Sequence, residues 1–322
     1  MSSIPVIDLS PLHDGSEAGL RTTAERIRDV YSSVGFAYIV GHGVSVALVE
    51  RAFDAHHRFH ALPESKKLRI SVNTHHRGYI AINTSTVVTS RYAKVTRPNQ
   101  SESFMMMHEL ASDDPDVAAG RPLAGPNQWP DLPRFREEVT EYNDTLKSLC
   151  GRLRRAFSVA LGGAPDDLDA CFEHPTTFLR MLHYPPLPDT RPDDLYGSAP
   201  HTDYGFITVL AQDDIGGLQV LTPNGVWIDV PPMPDAFILN TGDLVPRWSN
   251  GLFLSTPHRV YNRQDRDRYS IAFFYDPHMT TTVACLPGCT GPGHPTQYDP
   301  VVYGDYLMER LNRNHDYRKE KI

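Results

Sequence analysis

The sequence predicts a mainly β chain with flanking helices (α+β) around a jelly-roll core, and three observations carry that reading. After residue 175 short strand-like runs alternate with Pro, Gly, Asn and Asp. Before it, two stretches repeat apolar residues at helical spacing. The 322 residues are 40% hydrophobic and 22% charged, which suits a globular chain with a sizeable core.

Ile4 to Asp8 alternates into a brief strand, and Leu20, Ala24, Ile27, Tyr31 and Val34 then mark a helix ending at Gly35. Phe36 to Val40 reads as a strand and His42-Gly43 as a turn. From Leu132 a longer helix is marked by Phe135, Val139, Tyr142, Leu146, Leu149, Leu153 and Phe157, and Gly162-Gly163 closes it. The strand-like runs are Phe178–Tyr184, Phe206–Ala211, Gly217–Leu221, Val226–Asp229, Ala236–Asn240, His258–Tyr261 and Arg268–Tyr275. Val301 to Leu311 returns to helix. The chain is expected to be one structural unit, with a mixed N-terminal region (1–125) and a jelly-roll region (126–322) meeting softly between Glu109 and Pro130.

The formal charge of −8 argues against a general nucleic-acid binder, so a small-molecule partner is expected. No stretch approaches the ~20 apolar residues of a membrane span, and residues 1–10 lack the features of a secretory signal. Cys150, Cys171, Cys285 and Cys289 suit a reducing cytoplasm and read as ordinary thiols.

His201 is the histidine followed two positions later by a carboxylate, Asp203. In an extended strand these two side chains share a face and can reach one ion. His258, in Ser255-Thr256-Pro257-His258-Arg259-Val260, is far enough along the chain to return on a neighbouring strand. Two imidazoles and one carboxylate leave positions open on a metal, as Fe(II) activating O₂ requires, although zinc hydrolases use similar sets. In the later run Arg268-Tyr269-Ser270-Ile271-Ala272-Phe273-Phe274, alternation puts Arg268, Ser270, Ala272 and Phe274 on one face. A guanidinium with a hydroxyl two residues on is a receptor for a carboxylate, which points to an acid cosubstrate reaching the metal.

These segments resemble the 2-oxoglutarate/Fe(II) oxygenases of the isopenicillin N synthase type. The likeness runs in order through IPVIDLS (4–10), VGFAYIVGHGV (34–44), LRMLHYPP (179–186), HTDYGFITVLAQDDIGGLQV (201–220), AFILNTGDL (236–244), the STPHRV segment and RYSIAFF (268–274). The resemblance implies a double-stranded β-helix core and a dioxygenase using Fe(II), 2-oxoglutarate and O₂. It makes His201, Asp203 and His258 the iron ligands, and Arg268 and Ser270 the holders of the distal carboxylate, with Tyr184 supporting the cosubstrate. Hydroxylation is the implied default, with desaturation and ring closure as alternatives. An oxidase that dispenses with 2-oxoglutarate and a non-catalytic ligand-binding barrel stay open beside it. Where plant relatives often carry Asn-Tyr-Tyr-Pro, this chain has Leu182-His183-Tyr184-Pro185. By the same likeness the substrate wall is expected to use Tyr79, Phe104, Met105, Met107, Arg247 and Phe274. His183 is expected to face away from Tyr184, and His56, His57, His60, His75 and His76 to form a solvated helix face and loop.

Overall fold

The computed structural model describes residues 3–187, 192 and 194–319. Twelve strands build the core: β1 Val6–Asp8, β2 Phe36–Val40, β3 Gly78–Ile80, β4 Glu102–Met107, β5 Thr176–Tyr184, β6 Ser198–His201, β7 Ile207–Gln212, β8 Leu218–Leu221, β9 Trp227–Asp229, β10 Phe237–Thr241, β11 His258–Val260 and β12 Arg268–Asp276. Eight form a major sheet in the order β1-β2-β10-β7-β12-β5-β4-β3, and four form a minor sheet in the order β6-β11-β8-β9. A shared apolar cluster joins them: Phe36, Leu182 and Tyr184 of the major sheet meet Leu218, Val220 and Val260 of the minor. The core is a double-stranded β-helix whose two sheets face each other across the site.

The other face of the major sheet is covered by helices Glu17–Tyr31, Val46–His60 and Phe135–Ala160. Along the longest, the periodic residues Phe135, Val139, Tyr142, Leu146, Leu149, Leu153 and Phe157 are all buried. Each such side chain contributes about 1.5–3 kcal/mol by leaving water. Ser16 and Ser45 cap the first two helices, their hydroxyls accepting from Gly19 N at 3.0 Å and Leu48 N at 3.2 Å. Gly35 turns the chain from the first helix into β2 with φ +72, and a Cβ there would lie 2.3 Å from Thr256 Oγ1.

Both faces of the major sheet are therefore buried, which hides part of the N-terminal region from pattern reading. Helix Val46–His60 and strands β3 and β4 belong to it, and β1 to β4 lie in the same sheet as β5, β7, β10 and β12. The expected solvated histidine face is corrected here. His56 and His60 are buried where their helix packs, His76 is buried in the following loop, and His57 is exposed. At the C-terminus, Val301–Val302 pairs with Thr282–Val283 as a short hairpin before helix Tyr303–Asn314 begins.

Candidate active site

The metal ligands meet because two minor-sheet strands run antiparallel. His258 at the start of β11 pairs with His201 at the end of β6, which sets their rings 4.3 Å apart by centroid. The chain leaves β6 at once, and Asp203 turns in beneath them. Its Oδ1 lies 3.7 Å from His201 Nε2 and 3.6 Å from His258 Nε2. Among the described residues this is the one group of three such side chains whose ligand atoms all lie within 4.8 Å of one another.

The opposite side of each ligand is already engaged. His201 Nδ1–H donates to the Ala199 carbonyl at 2.7 Å and His258 Nδ1–H to the Thr256 carbonyl at 3.3 Å, so each Nε2 lone pair faces the centre. Asp203 Oδ2 accepts from Thr208 Oγ1 at 2.5 Å and Asn240 Nδ2 at 2.7 Å, which turns Oδ1 inward. Burial alone would raise the Asp203 carboxyl, but the two histidines and these donors hold it below the usual carboxylate range. Burial, with His258 beside it, pushes His201 down to about 4, so its ring is neutral at physiological pH. Two imidazole nitrogens and a carboxylate on one side of a point fit the facial set that holds Fe(II) with open positions.

A cavity of about 70 Å³ leads from these ligands along the space between the sheets to Arg268. On β12, Arg268, Ser270, Ala272 and Phe274 line it together, as alternation requires. Arg268 is fully buried, and its partners are neutral: the Gly216 carbonyl, Ser270 Oγ at 3.3 Å and Gln212 Oε1 at 3.3 Å. Tyr184 sits opposite it across the β5–β12 register, with the guanidinium 4.8 Å from the ring centroid. The Gly216-Gly217 turn brings that carbonyl into reach. A Cβ at Gly217 would lie 2.1 Å from the Tyr261 carbonyl oxygen.

A second cavity, about 120 Å³, opens on the other side of His201 and Asp203. Of the expected wall residues, Met105 and Phe274 line it. Tyr79 and Phe104 do not, and the reason is register. Tyr79 pairs with Phe104 and Phe104 with Met181, on the sheet face that packs against helices, where Phe104 meets Phe59 and Phe135 at 5.3 and 5.0 Å. Met107 is buried in the core beyond the cavity. Arg247 lines a further, polar cavity that adjoins this one through Val87, His201, Thr202 and Tyr204, and there it donates to the Asp299 carbonyl at 3.0 Å and stacks on Tyr298 and Tyr306. His183 faces away from Tyr184 and binds Glu102 and Asp267, each at 2.8 Å. Sequence reasoning missed Arg180, the Asn240 and Thr208 supports, and the wall from helix Tyr303–Asn314, where Leu307, Leu311 and Asn314 reach the cavity. For Arg180 a signal existed, since it shares the Tyr184 face of β5 by alternation.

Comparison with known proteins agrees with this geometry. The profile of the 2OG-Fe(II) oxygenase superfamily matches residues 175–277, and that described as non-haem dioxygenase in morphine synthesis N-terminal matches residues 4–132. The chain is 34% identical over 328 residues to the 2-oxoglutarate-Fe(II) type oxidoreductase hxnY of Emericella nidulans, covering 98% of this chain and 93% of that protein. The chain belongs to the 2OG-Fe(II) oxygenase superfamily. It is also 37% identical to the 2-oxoglutarate-dependent dioxygenase citB of Monascus ruber, over 85% of this chain and 84% of that one. Among solved structures, a full-length Neurospora crassa protein in complex with alpha-KG and thymine superposes with a TM-score of 0.83 at 31% identity, covering 96% of each chain. The protein is thus a 2-oxoglutarate-dependent dioxygenase that uses Fe(II), 2-oxoglutarate and O₂ and acts on a small molecule. No helix among the described residues is long and apolar enough to cross a membrane.

Proposed function

We propose that this oxygenase hydroxylates a C–H bond of a small organic molecule, with Fe(II) on His201, Asp203 and His258 and 2-oxoglutarate lying between that ion and Arg268. One observation carries the reading. A single narrow cavity has the three ligands at one end and, at the other, a fully buried guanidinium whose partners are all neutral. A buried charge without a counter-charge is costly, and a carboxylate arriving at the planar fork offsets that cost. The bound iron and O₂ supply the oxidising power, as 2-oxoglutarate is split to succinate and CO₂ and one oxygen atom goes to the substrate.

The chain's own residues hold and orient. Ala199 and Thr256 fix the tautomers that present both Nε2 atoms, and Thr208 with Asn240 aims Asp203. Ser270 stands beside Arg268 to donate to the same carboxylate, while Tyr184, Leu182, Leu218 and Val260 wall the cosubstrate from water. Phe274 borders both cavities, so it separates cosubstrate from substrate, and Met105 offers the substrate an adaptable apolar contact. Desaturation or ring closure would need the same residues, because they differ only in the fate of the substrate radical. A cytoplasmic setting and a partner other than nucleic acid or membrane complete the reading, supported by four free thiols and the net charge of −8.

The test is stoichiometry. Purified protein with Fe(II), 2-oxoglutarate and a substrate is expected to release one succinate for each O₂ consumed. Product formed with O₂ uptake but no succinate would establish an oxidase that uses the Arg268 end for its substrate.

A further inference from the structure

The substrate cavity contains a second cation that the chemistry above does not use. Arg180 lies on the inward face of β5, between Phe178 and Leu182, and borders both the cosubstrate and the substrate cavities. Its Nε donates to Ser103 Oγ at 3.0 Å, and among the described residues no carboxylate forms an ion pair with it. The two carboxylates on the same cavity are otherwise engaged. Asp203 faces the histidines, and Asp276 accepts from Phe206 N at 2.7 Å and Tyr303 OH at 2.6 Å. Burial pushes the Arg180 guanidinium down from its usual value, yet an arginine keeps its proton at any physiological pH.

Charge balance then points outward. Asp203 and the dianionic 2-oxoglutarate together exceed the charge of Fe(II) by one unit, and Arg268 restores neutrality. Arg180, half-buried on the cavity, is left without an ion-pair partner among the described residues. Asp276, the other acidic group there, is turned to Phe206 N and Tyr303 OH and is pushed up to about 7 by burial, so it offsets the cation only in part. The same wall carries apolar side chains, Met105, Phe178, Phe274, Leu307 and Leu311, beside polar ones that include Ser85, Asn99 and Asn314.

Resting on the oxygenase reading, we propose that the primary substrate is a small monocarboxylic acid, held by its carboxylate on Arg180 with its apolar body against Phe178, Phe274 and helix Tyr303–Asn314. A carboxylate suits this position better than a neutral carbonyl, because it fills the planar fork with two oxygens and cancels the surplus charge. The cavity, about 120 Å³, takes a small chain or ring, and the polar cavity adjoining it at Val87, His201, Thr202 and Tyr204 leaves room beyond. Such an anchor fixes which C–H bond faces the ligands at His201, so Arg180 sets regiochemistry as well as affinity.

The experiment is a binding comparison on anaerobic protein loaded with Fe(II) and 2-oxoglutarate. Hexanoate, benzoate and phenylacetate are titrated by calorimetry beside hexanamide, benzamide and phenylacetamide. At least one acid is expected to bind about ten- to a hundredfold tighter than its amide, as a charged hydrogen-bonded contact provides. Arg180→Gln should erase that preference with Fe(II) and 2-oxoglutarate affinities unchanged, while Arg180→Lys keeps the charge without the fork and retains part of it. Equal binding of every acid and its amide overturns the proposal, as does a preference that survives Arg180→Gln. Weakened 2-oxoglutarate binding in Arg180→Gln with the acid preference intact would assign Arg180 to the cosubstrate instead. Failure of the oxygenase reading would show separately, as wild-type protein that takes up neither Fe(II) nor 2-oxoglutarate.

Discussion

Strands β4, β5 and β12 carry buried charge on both of their faces, and the two faces treat it in opposite ways. On the helix side Glu102 accepts from Lys67 Nζ at 2.7 Å, from His183 at 2.8 Å and from the Tyr79 hydroxyl, while the far nitrogen of His183 meets Asp267 at 2.8 Å. On the barrel side Arg180 and Arg268 meet only neutral groups. Folding alone accounts for the first arrangement, because each charge is offset within the chain. It does not account for the second, which is complete only when anions enter. An unpaired cation that lines a cavity thus marks a ligand, whereas Arg77, fully buried away from the cavities and held by three backbone carbonyls, marks structure, as the paired cations do.

The sharpest way to break that contrast is to remove one member from each face. Asp203→Ala on the barrel side is expected to abolish Fe(II) binding and lower turnover to background, with a loss of fold stability of about 1–3 kcal/mol for each of the two orphaned donors. Fe(II) titration beside urea unfolding reads both, and retained iron-dependent turnover would refute the ligand assignment. Glu102→Ala on the helix side should act on stability alone. Removing one partner of a buried ion cluster costs about 3–5 kcal/mol of stability, while the affinities for Fe(II) and 2-oxoglutarate in the folded fraction stay as they were. A Glu102→Ala protein of wild-type stability would show that the cluster contributes nothing net.

A smaller effect is expected at the far end of the cosubstrate cavity. Arg268→Ala should raise the 2-oxoglutarate requirement about a hundredfold, equivalent to about 2–3 kcal/mol for a charged hydrogen-bonded contact. Stability should change little, since removing a buried cation offsets the cost of leaving the Gly216 carbonyl and Gln212 Oε1 without their donor. Unchanged cosubstrate affinity would place the carboxylate receptor elsewhere.

The same contrast explains what can be read from the sequence. On β12 the faces differ in chemistry, with Arg268 and Ser270 on one side and Tyr269, Ile271 and Phe273 on the other, so alternation is enough to place the cosubstrate end. On β4 both faces are buried, and Glu102-Ser103-Phe104-Met105-Met106-Met107 carries no polar-apolar alternation to separate them. Placing Phe104 in the wall and Tyr79 beside it is therefore a period-two error that only register resolves: Met105 pairs with Arg180 and Phe104 with Met181. Arg180 escapes notice because a lone arginine among apolar residues has no local partner to reveal its role. The histidines of Val46–His60 mislead for a related reason, since a helix packed against a sheet can bury imidazoles that look polar in sequence. The Asp203 supports are beyond reach, because Asn240 and Thr208 come from β10 and β7 and meet only in the folded sheet.

The smallest expected effect concerns pH, and it belongs to the helix side. Burial would raise Glu102, but His183, Lys67 and Tyr79 hold it down at about 2, against an ordinary value of 4.5. Its contribution to stability is therefore complete above 4.5 and lost as pH falls toward 2. Burial pushes His56 from 6.5 to about 3, so it stays neutral in the fold while the unfolded chain takes up a proton below 6.5, and stability falls with pH across that interval. His60, also buried, is driven the same way. His183 opposes them: although burial favours its neutral ring, Glu102 and Asp267 raise it, so it contributes stability below 6.5 that is lost as pH rises through its raised value. With His42, His75, His76, His108 and His201 lowered as well and His183 raised, the urea midpoint is predicted to decline on acidification below about pH 6.5, each unmatched proton being worth up to about 1.4 kcal/mol per pH unit. His56→Gln keeps a donor for the Leu182 carbonyl, which His56 meets at 3.1 Å, and removes the titrating ring. That variant should flatten the acid limb by up to the slope of one proton, and an unaltered limb would show that His56 is protonated inside the fold.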